Sequence, residues 1–342
     1  MKFIFNILIF LIMNCSLYAQ KNAGKTCSTL IRPKIGKLVL GISKDNVLKS
    51  SGVGEAGIRT EQWMRYEKLN LEATDAELRL LTGNENAVVR CYAFQALSHR
   101  PGMDLYSILV KHLSDTVSVE TFMGCIKSAE KAGDYFLEVV TPDYIDVSSR
   151  KLTKNERKLV DSILLFDKSI KLSAKYGLLR VLKPDLKYYN RIKEIAVVEN
   201  NPVAVLALAK FNNVDDIDIV KKLFGSEDTE YYGIYAVREF PEATFYPYLN
   251  KVFEREWNRK TYDYPKWRIL YQALAKYPTK KTLELFEKTV TTDDGFRYQT
   301  LGVYLTVAIR KYPNGLYQSL KDRIKLNKYH LEEVNEEENS GK

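Results

Sequence analysis

Histidine is scarce in this chain: among 342 residues only His99, His112 and His330 occur. No Cys-x-x-Cys or His-Glu-x-x-His spacing is present, so the ligand sets of zinc sites are missing, and neither a metal nor a cofactor is expected. There is likewise no Gly-x-Ser-x-Gly elbow and no phosphate-binding loop, which removes the commonest hydrolase and nucleotidase signatures. Cysteine is limited to Cys15, Cys27, Cys91 and Cys125. Cys15 lies in an N-terminal leader, and the odd number left behind argues against a disulfide framework. Cys91 and Cys125 are separated by about one helical-repeat period. Packed helices lie about 8–10 Å apart whereas a disulfide needs Cα atoms within about 7 Å, so both are expected as buried structural thiols on helices. After residue 13, no apolar run approaches the roughly 20 residues of a membrane-spanning helix.

What the N-terminus does hold is one lysine, Lys2, an apolar run from Phe3 to Met13 and a small residue at Ala19. That is the form of a secretory signal peptide over 1–19, cleaved before Gln20. It resembles the signals of Gram-negative bacteria, so the product is expected to be exported to the periplasm or the cell exterior. A lipid anchor at Cys15 is the competing outcome, disfavoured because Asn14 is large and polar for the position before a lipidated cysteine. The net charge of +9 is spread along the chain without a polybasic run. A lysine-rich surface explains it, and no nucleic-acid partner is expected.

The stretch Asn84–Asp115 organises the rest. Val88, Val89, Tyr92, Ala93, Ala96 and Leu97 recur at helical spacing, Arg100-Pro101-Gly102 stops that helix, and a second follows with Leu105, Ile108, Leu109 and Leu113 on one face. The asparagine-rich start, the Val-Val-Arg and the Tyr-Ala-x-x-Ala-Leu resemble the HEAT and HEAT-like repeat family. The resemblance implies an all-α fold, an α-solenoid of helix pairs, and a binding scaffold as the usual function. Further on, turns at Leu182, Phe211, Phe240, Tyr277 and Tyr312 recur at the period of two-helix units, four of the five with a proline one or two residues on. The expected organisation is an irregular arm and Gly-rich linker over 20–59, helical arrays over 60–140 and 169–328, an inserted loop and helix over 141–168, and an acidic disordered tail over 329–342. Within the arm, Leu38–Ile42 suits either a short strand or an extended segment. Gly52-x-Gly54-x-x-Gly57 matches a dinucleotide fingerprint in form but follows polar Asp45–Ser50, which does not look like a strand, so a flexible linker is the expectation. Val117–Lys131 is expected as a further helix. Thr74–Glu77 and Thr153–Glu156 are capping boxes.

Two constellations offer binding chemistry. In Phe253–Arg268, aromatic and basic side chains interleave, with Trp257, Tyr264 and Trp267 as candidate partner contacts, although aromatics also fill the wedges between helices. A cation recurs just before each C-terminal turn: Arg180, Lys210, Arg238, Lys276 and Arg310, followed by Lys311. In a helical array these could form a ladder facing an anionic partner, while cations in a last helical turn also offset the helix dipole by about 0.3–1 kcal/mol each without any ligand. The carboxylate pairs Asp215-Asp216 and Asp293-Asp294 precede helices and are expected to complement their N-termini. The expected function is an exported, non-catalytic scaffold for a protein, peptide or cell-envelope component. The alternative is an envelope-acting enzyme, with a sugar or polymer substrate, on the same helical frame.

Overall fold

The computed structural model describes residues 30–141 and 146–339. The leader, its cleavage point, Cys15 and Cys27 lie outside the described residues. The chain is mostly helical, as the all-α reading expects, with one three-stranded sheet as the departure. It divides into two compact units, the first ending at Lys175 and the second beginning at Tyr176.

The first unit starts where an irregular arm was expected, and that expectation is corrected. Pro33–Asp45 forms helix α1, started by Pro33 in its first turn and ended at Asn46 in the left-handed conformation. Leu38–Ile42 is therefore helical. Strand β1, Val47–Val53, follows, burying Leu48 and Val53, and an irregularity in its pairing between Lys49 and Val53 accommodates their odd spacing. The glycines close a tight turn, with Val53 and Ile58 exchanging backbone hydrogen bonds and Gly54 and Gly57 at positive φ. This region is ordered turn, not linker.

Helices α2 (Glu61–Glu72), α3 (Asp75–Leu81), α4 (Ala87–Ser98) and α5 (Leu105–His112) come next. Both hydrogen bonds of the Thr74–Glu77 capping box form, and Glu77 also holds Arg32. Every residue of α4 is buried, because α1, α2, α3 and a later helix all pack on it. Tyr66 stacks on Tyr92 with ring centres 4.8 Å apart.

Val117–Lys131 is not a helix. It is a hairpin, β2 (Ser118–Gly124) and β3 (Ile126–Lys131), in which β2 pairs parallel to β1 and antiparallel to β3. Val119 and Thr121 point inward while Ser118 and Glu120 are exposed, a period of two rather than 3.6. Gly124, at positive φ, turns the chain. Cys125 at that turn is exposed, so its expected burial is also corrected, whereas Cys91 is fully buried. The outer edge of β1 is closed by a side chain: the Tyr92 hydroxyl accepts from Lys49 N–H (2.7 Å) and donates to Lys49 C=O (3.0 Å). Helix α6, Ala132–Val140, packs on α4 and α5, with Phe136 stacked on Phe94 at 4.3 Å. Helix α7, Lys154–Phe166, begins at the second capping box.

The second unit is built from helices in alternation. Helix α8 (Ala174–Val181) reaches into it, then α9 (Leu186–Val198), α10 (Pro202–Ala209), α11 (Ile217–Lys222), α12 (Glu227–Glu239), α13 (Tyr246–Trp257), α14 (Tyr264–Ala275), α15 (Lys280–Thr291), α16 (Gly295–Lys311), α17 (Gln318–Arg323) and α18 (Lys328–Asn339). Helices α10, α12, α14, α16 and α18 pack one on the next as a row; α11 packs on α12, α13 on α14 and α15 on α16. Row helices are flanked on several sides, so α10 is almost wholly apolar and buried, and Leu301–Ile309 of α16 is buried throughout. The segment expected as a disordered tail forms α18, because Val334 is buried and Glu337 and Glu338 pair with Arg268 and Arg310.

Candidate functional site

Alternate helices of the second unit bring the ends of α10, α12, α14 and α16 together, and the sequence-predicted cations sit there. Arg180 is exposed in the last turn of α8, and its carbonyl accepts from Lys210 Nζ at 2.6 Å. Lys210, at the C-cap of α10, also reaches the Leu182 carbonyl at 3.3 Å. Burial lowers its pKa, with Glu239 opposing and Arg238 adding to the effect.

Arg238 is the centre of the cluster. Only 7 % exposed, it donates to Glu239 from Nε and Nη2 and to Gln272 Oε1 from Nη1 at 2.8 Å, and its guanidinium lies 4.1 Å from the Tyr235 ring centre. Desolvation would lower its pKa, but Tyr235 and Glu239 outweigh that and raise it. The same Gln272 oxygen accepts from Lys311 Nζ at 3.3 Å. Burial, then repulsion from Arg238, lowers the Lys311 pKa, with Lys276 contributing further. Lys276 lies over the Tyr312 ring at 4.6 Å. Lys210, Arg238 and Lys311 thus lie close to Glu239, and burial first, with repulsion from Arg238 adding to it, lowers both lysine pKa values. Such a patch can accept carboxylate, phosphate or sulfate groups. Arg310 points away from this cluster, toward Glu338 at 3.4 Å. Gln272, Tyr235 and Tyr312 were not legible as site residues. Their signal is that they share helix ends with the cations.

The aromatic stretch separates into core and surface. Trp267 is 1 % exposed and packs against Phe253, Trp257 and Tyr271, so its expected role as a partner contact is corrected: the wedge between α13 and α14 takes it in. Trp257 is half-buried beneath the Arg297 guanidinium, 4.7 Å from its ring centre. Tyr264 remains at the surface, stacked on Tyr262. Asp294 caps α16 as expected, but Asp216 is buried and instead holds Lys193 (2.7 Å) and the Tyr189 hydroxyl (2.9 Å).

The first unit contains two groupings with catalytic residue types. Ser148 Oγ lies 3.3 Å from His99 Nε2 and 2.7 Å from Asp146 Oδ1, while Asp146 Oδ2 lies 2.8 Å from the same His99 nitrogen. A serine relay needs the acid on one ring nitrogen and the serine on the other, so this geometry does not form one. Burial would raise the Asp146 pKa, but hydrogen bonds from His99, Gln95 and Ser148 hold it well below the usual range. The second grouping is a cavity of about 490 Å³ lined by Thr121, Met123, Ile126, Ser128, Glu130 and Glu138, among others. Burial, with Glu138 and Asp134 nearby, pushes the Glu130 carboxyl up to about 8. Nothing in the sequence marks Glu130, because the strand that carries it was expected as a helix.

Among the described residues, no group of three or more His, Cys, Asp or Glu side chains could hold a metal ion, and no helix is long and apolar enough to cross a membrane. No family model, curated protein or solved structure matches the chain.

Proposed function

We propose that the chain is an exported scaffold of HEAT-like helix pairs, an α-solenoid, that binds an anionic protein, peptide or cell-envelope component through the cationic end of the α10–α16 row. One observation carries this reading: Gln272 Oε1 accepts from both Arg238 and Lys311, drawing two cations onto a single oxygen beside Glu239. Helix-dipole compensation and the packing of the row explain a cation at each helix end, but not why two of them share one side-chain oxygen. The test replaces surface cations and spares the buried Arg238. An Arg180→Gln, Lys276→Gln, Lys311→Gln chain should melt close to the parent yet lose salt-sensitive retention on immobilised polyanion. Retention by the parent that is indifferent to salt would sink the reading.

A second reading, an envelope-acting enzyme with a sugar or polymer substrate, is favoured by Glu130. A carboxyl kept protonated near neutral pH beside a second carboxylate in a cleft suits general-acid chemistry. Release of reducing ends from envelope polysaccharide by the purified chain, abolished by Glu130→Gln, would put this reading in place of the first.

A further inference from the structure

We propose that a cleft between α12 and α13 is a binding site for an apolar α-amino acid, a ligand with charges of both signs beside a hydrocarbon or aromatic side chain. The inference is independent of the binding reading above and uses none of the residues around Arg238. The cleft has a volume of about 240 Å³ and is lined by Phe224, Glu230, Tyr248, Lys251, Val252 and Arg255, among others. Sites for drug-sized ligands run to roughly 300–1,000 Å³, so this space suits a molecule with a single ring or branched chain. On α13, Tyr248, Val252 and Arg255 follow at helical spacing with Lys251 beside them, so one helix face supplies most of one wall. The opposite wall includes a 3-10 turn, Leu223–Gly225, whose Phe224 ring meets Tyr248 with centres 5.1 Å apart. Gly233 of α12 makes room for that ring, since an added Cβ would come within 3.0 Å of it. This contact bridges the walls near the start of α13. An ion pair bridges them near its end, where Arg255 donates to both oxygens of Glu230, from Nη1 at 2.9 Å.

The polar groups of the cleft form two poles. Glu230 is 4 % exposed and belongs to a connected network in which three cations, Arg255, Arg259 and Lys266, face four carboxylates, Glu227, Glu230, Glu256 and Asp263. That network is one cation short. A carboxylate offers about four acceptor positions, of which Arg255 fills two on Glu230, while Lys266 Nζ stands off at 3.6 Å. Acceptor capacity therefore remains for a ligand ammonium. Lys251 is the opposite pole: it is exposed, one turn before Arg255, and has no ion-pair partner among the described residues. Residues four apart on a helix are separated by about 6 Å along its axis, and a hydrogen bond of about 3 Å at each end lets a ligand with adjacent charges reach both poles. A carboxylate alone would meet Lys251 and leave the acid-rich pole unanswered; an amine alone would do the reverse. A zwitterion answers both, with its side chain against Phe224, Tyr248 and Val252.

The experiment titrates the full chain calorimetrically with three probes that share one side chain: L-leucine, 4-methylpentanoate, which lacks the ammonium, and 3-methylbutylamine, which lacks the carboxylate. Leucine should bind about tenfold more tightly than either, the worth of one hydrogen bond to a charged group. Because Lys251 is exposed, Lys251→Gln should melt with the parent, bind leucine about tenfold more weakly and bind 3-methylbutylamine as the parent does. Equal binding of leucine and 4-methylpentanoate would mean a plain anion site, and equal binding of leucine and 3-methylbutylamine a plain cation site; either overturns the proposal. Absence of leucine binding at about 10 mM overturns it as well, and so does a Lys251→Gln chain that binds leucine as tightly as the parent. The cleft shares no residue with the cationic cluster, so retention on polyanion tests the earlier reading separately.

Discussion

The two units answer the same sequence rhythm in different ways. In the second, an aromatic residue and proline end a helix at Phe240-Pro241, Tyr277-Pro278 and Tyr312-Pro313, and another helical turn follows each time. In the first, the chain after α5 meets β-branched residues at alternate positions, Val117, Val119 and Thr121, then Gly124, and folds into a hairpin. The consequence is electrostatic as well as topological. The second unit collects cations at helix ends, and the first brings carboxylates to a sheet edge beside α6. One unit should respond to salt and the other to pH, and the experiments below press on that contrast.

The largest effect is expected in the second unit. Trp267→Ala empties the wedge between α13 and α14 and should cost about 4 kcal/mol in urea unfolding. Polyanion retention of the fraction that stays folded should be unchanged, because this tryptophan has no surface to offer. Next comes acid sensitivity in the first unit. The hydrogen bond from Arg32, against opposing burial, lowers Glu77 from 4.5 to about 2. A depressed carboxyl stabilises the fold above its unfolded value, and the gain is lost as pH falls from about 4.5 to 2. Glu77→Gln should therefore destabilise by about 2 kcal/mol at pH 7 and by almost nothing at pH 2, a figure reduced to allow for the exposed Arg32.

Glu130 should behave in the opposite sense. Its raised value means that the folded chain holds a proton the unfolded chain has released, so stability falls as pH rises from about 4.5 to 8. Glu130→Gln should remove that slope and raise stability at pH 8 by about 1–2 kcal/mol. If thermal melts of parent and variant run parallel between pH 5 and 8, the contrast between the units fails at its most specific point. The smallest effect on stability is chemical labelling. Iodoacetamide should modify Cys125 in the native chain and Cys91 only in denaturant, as read by peptide mass mapping. Desolvation pushes the Cys91 thiol up, which reinforces its protection. Rapid native labelling of Cys91 would show that α4 opens locally.

Much of the helical pattern was legible because caps and prolines act locally. Both capping boxes form, and the five turn positions fall between helices. The misreadings share a cause. Phe122 and Ile126 stand four apart, which imitates a helical face, yet Val119 and Thr121 are the residues turned inward in a strand whose partner, β1, comes from sequence more than sixty residues earlier. Pairing across that distance leaves no local mark. The cationic ladder was visible as spacing, but its internal differences were not: whether a cation is buried as Arg238 is, or paired as Arg310 is, depends on the neighbouring helix. Trp267 was misassigned for the same reason, since sequence gives an aromatic residue no direction. The acidic tail was read from composition alone, and composition does not include the arginines waiting on α14 and α16.

Tyr92 substitutes for a fourth strand. One phenol hydroxyl satisfies both the amide and the carbonyl of Lys49, the two groups through which another chain would be templated onto the sheet. Its replacement by phenylalanine would keep the stacked ring against Tyr66 but leave both Lys49 groups without that partner. The other side of the sheet ends at β3, where Lys127 and Lys131 supply the charges that discourage strand addition. A single buried oxygen atom thus closes the edge of a three-stranded sheet, and its loss would be felt as about 1–3 kcal/mol of stability.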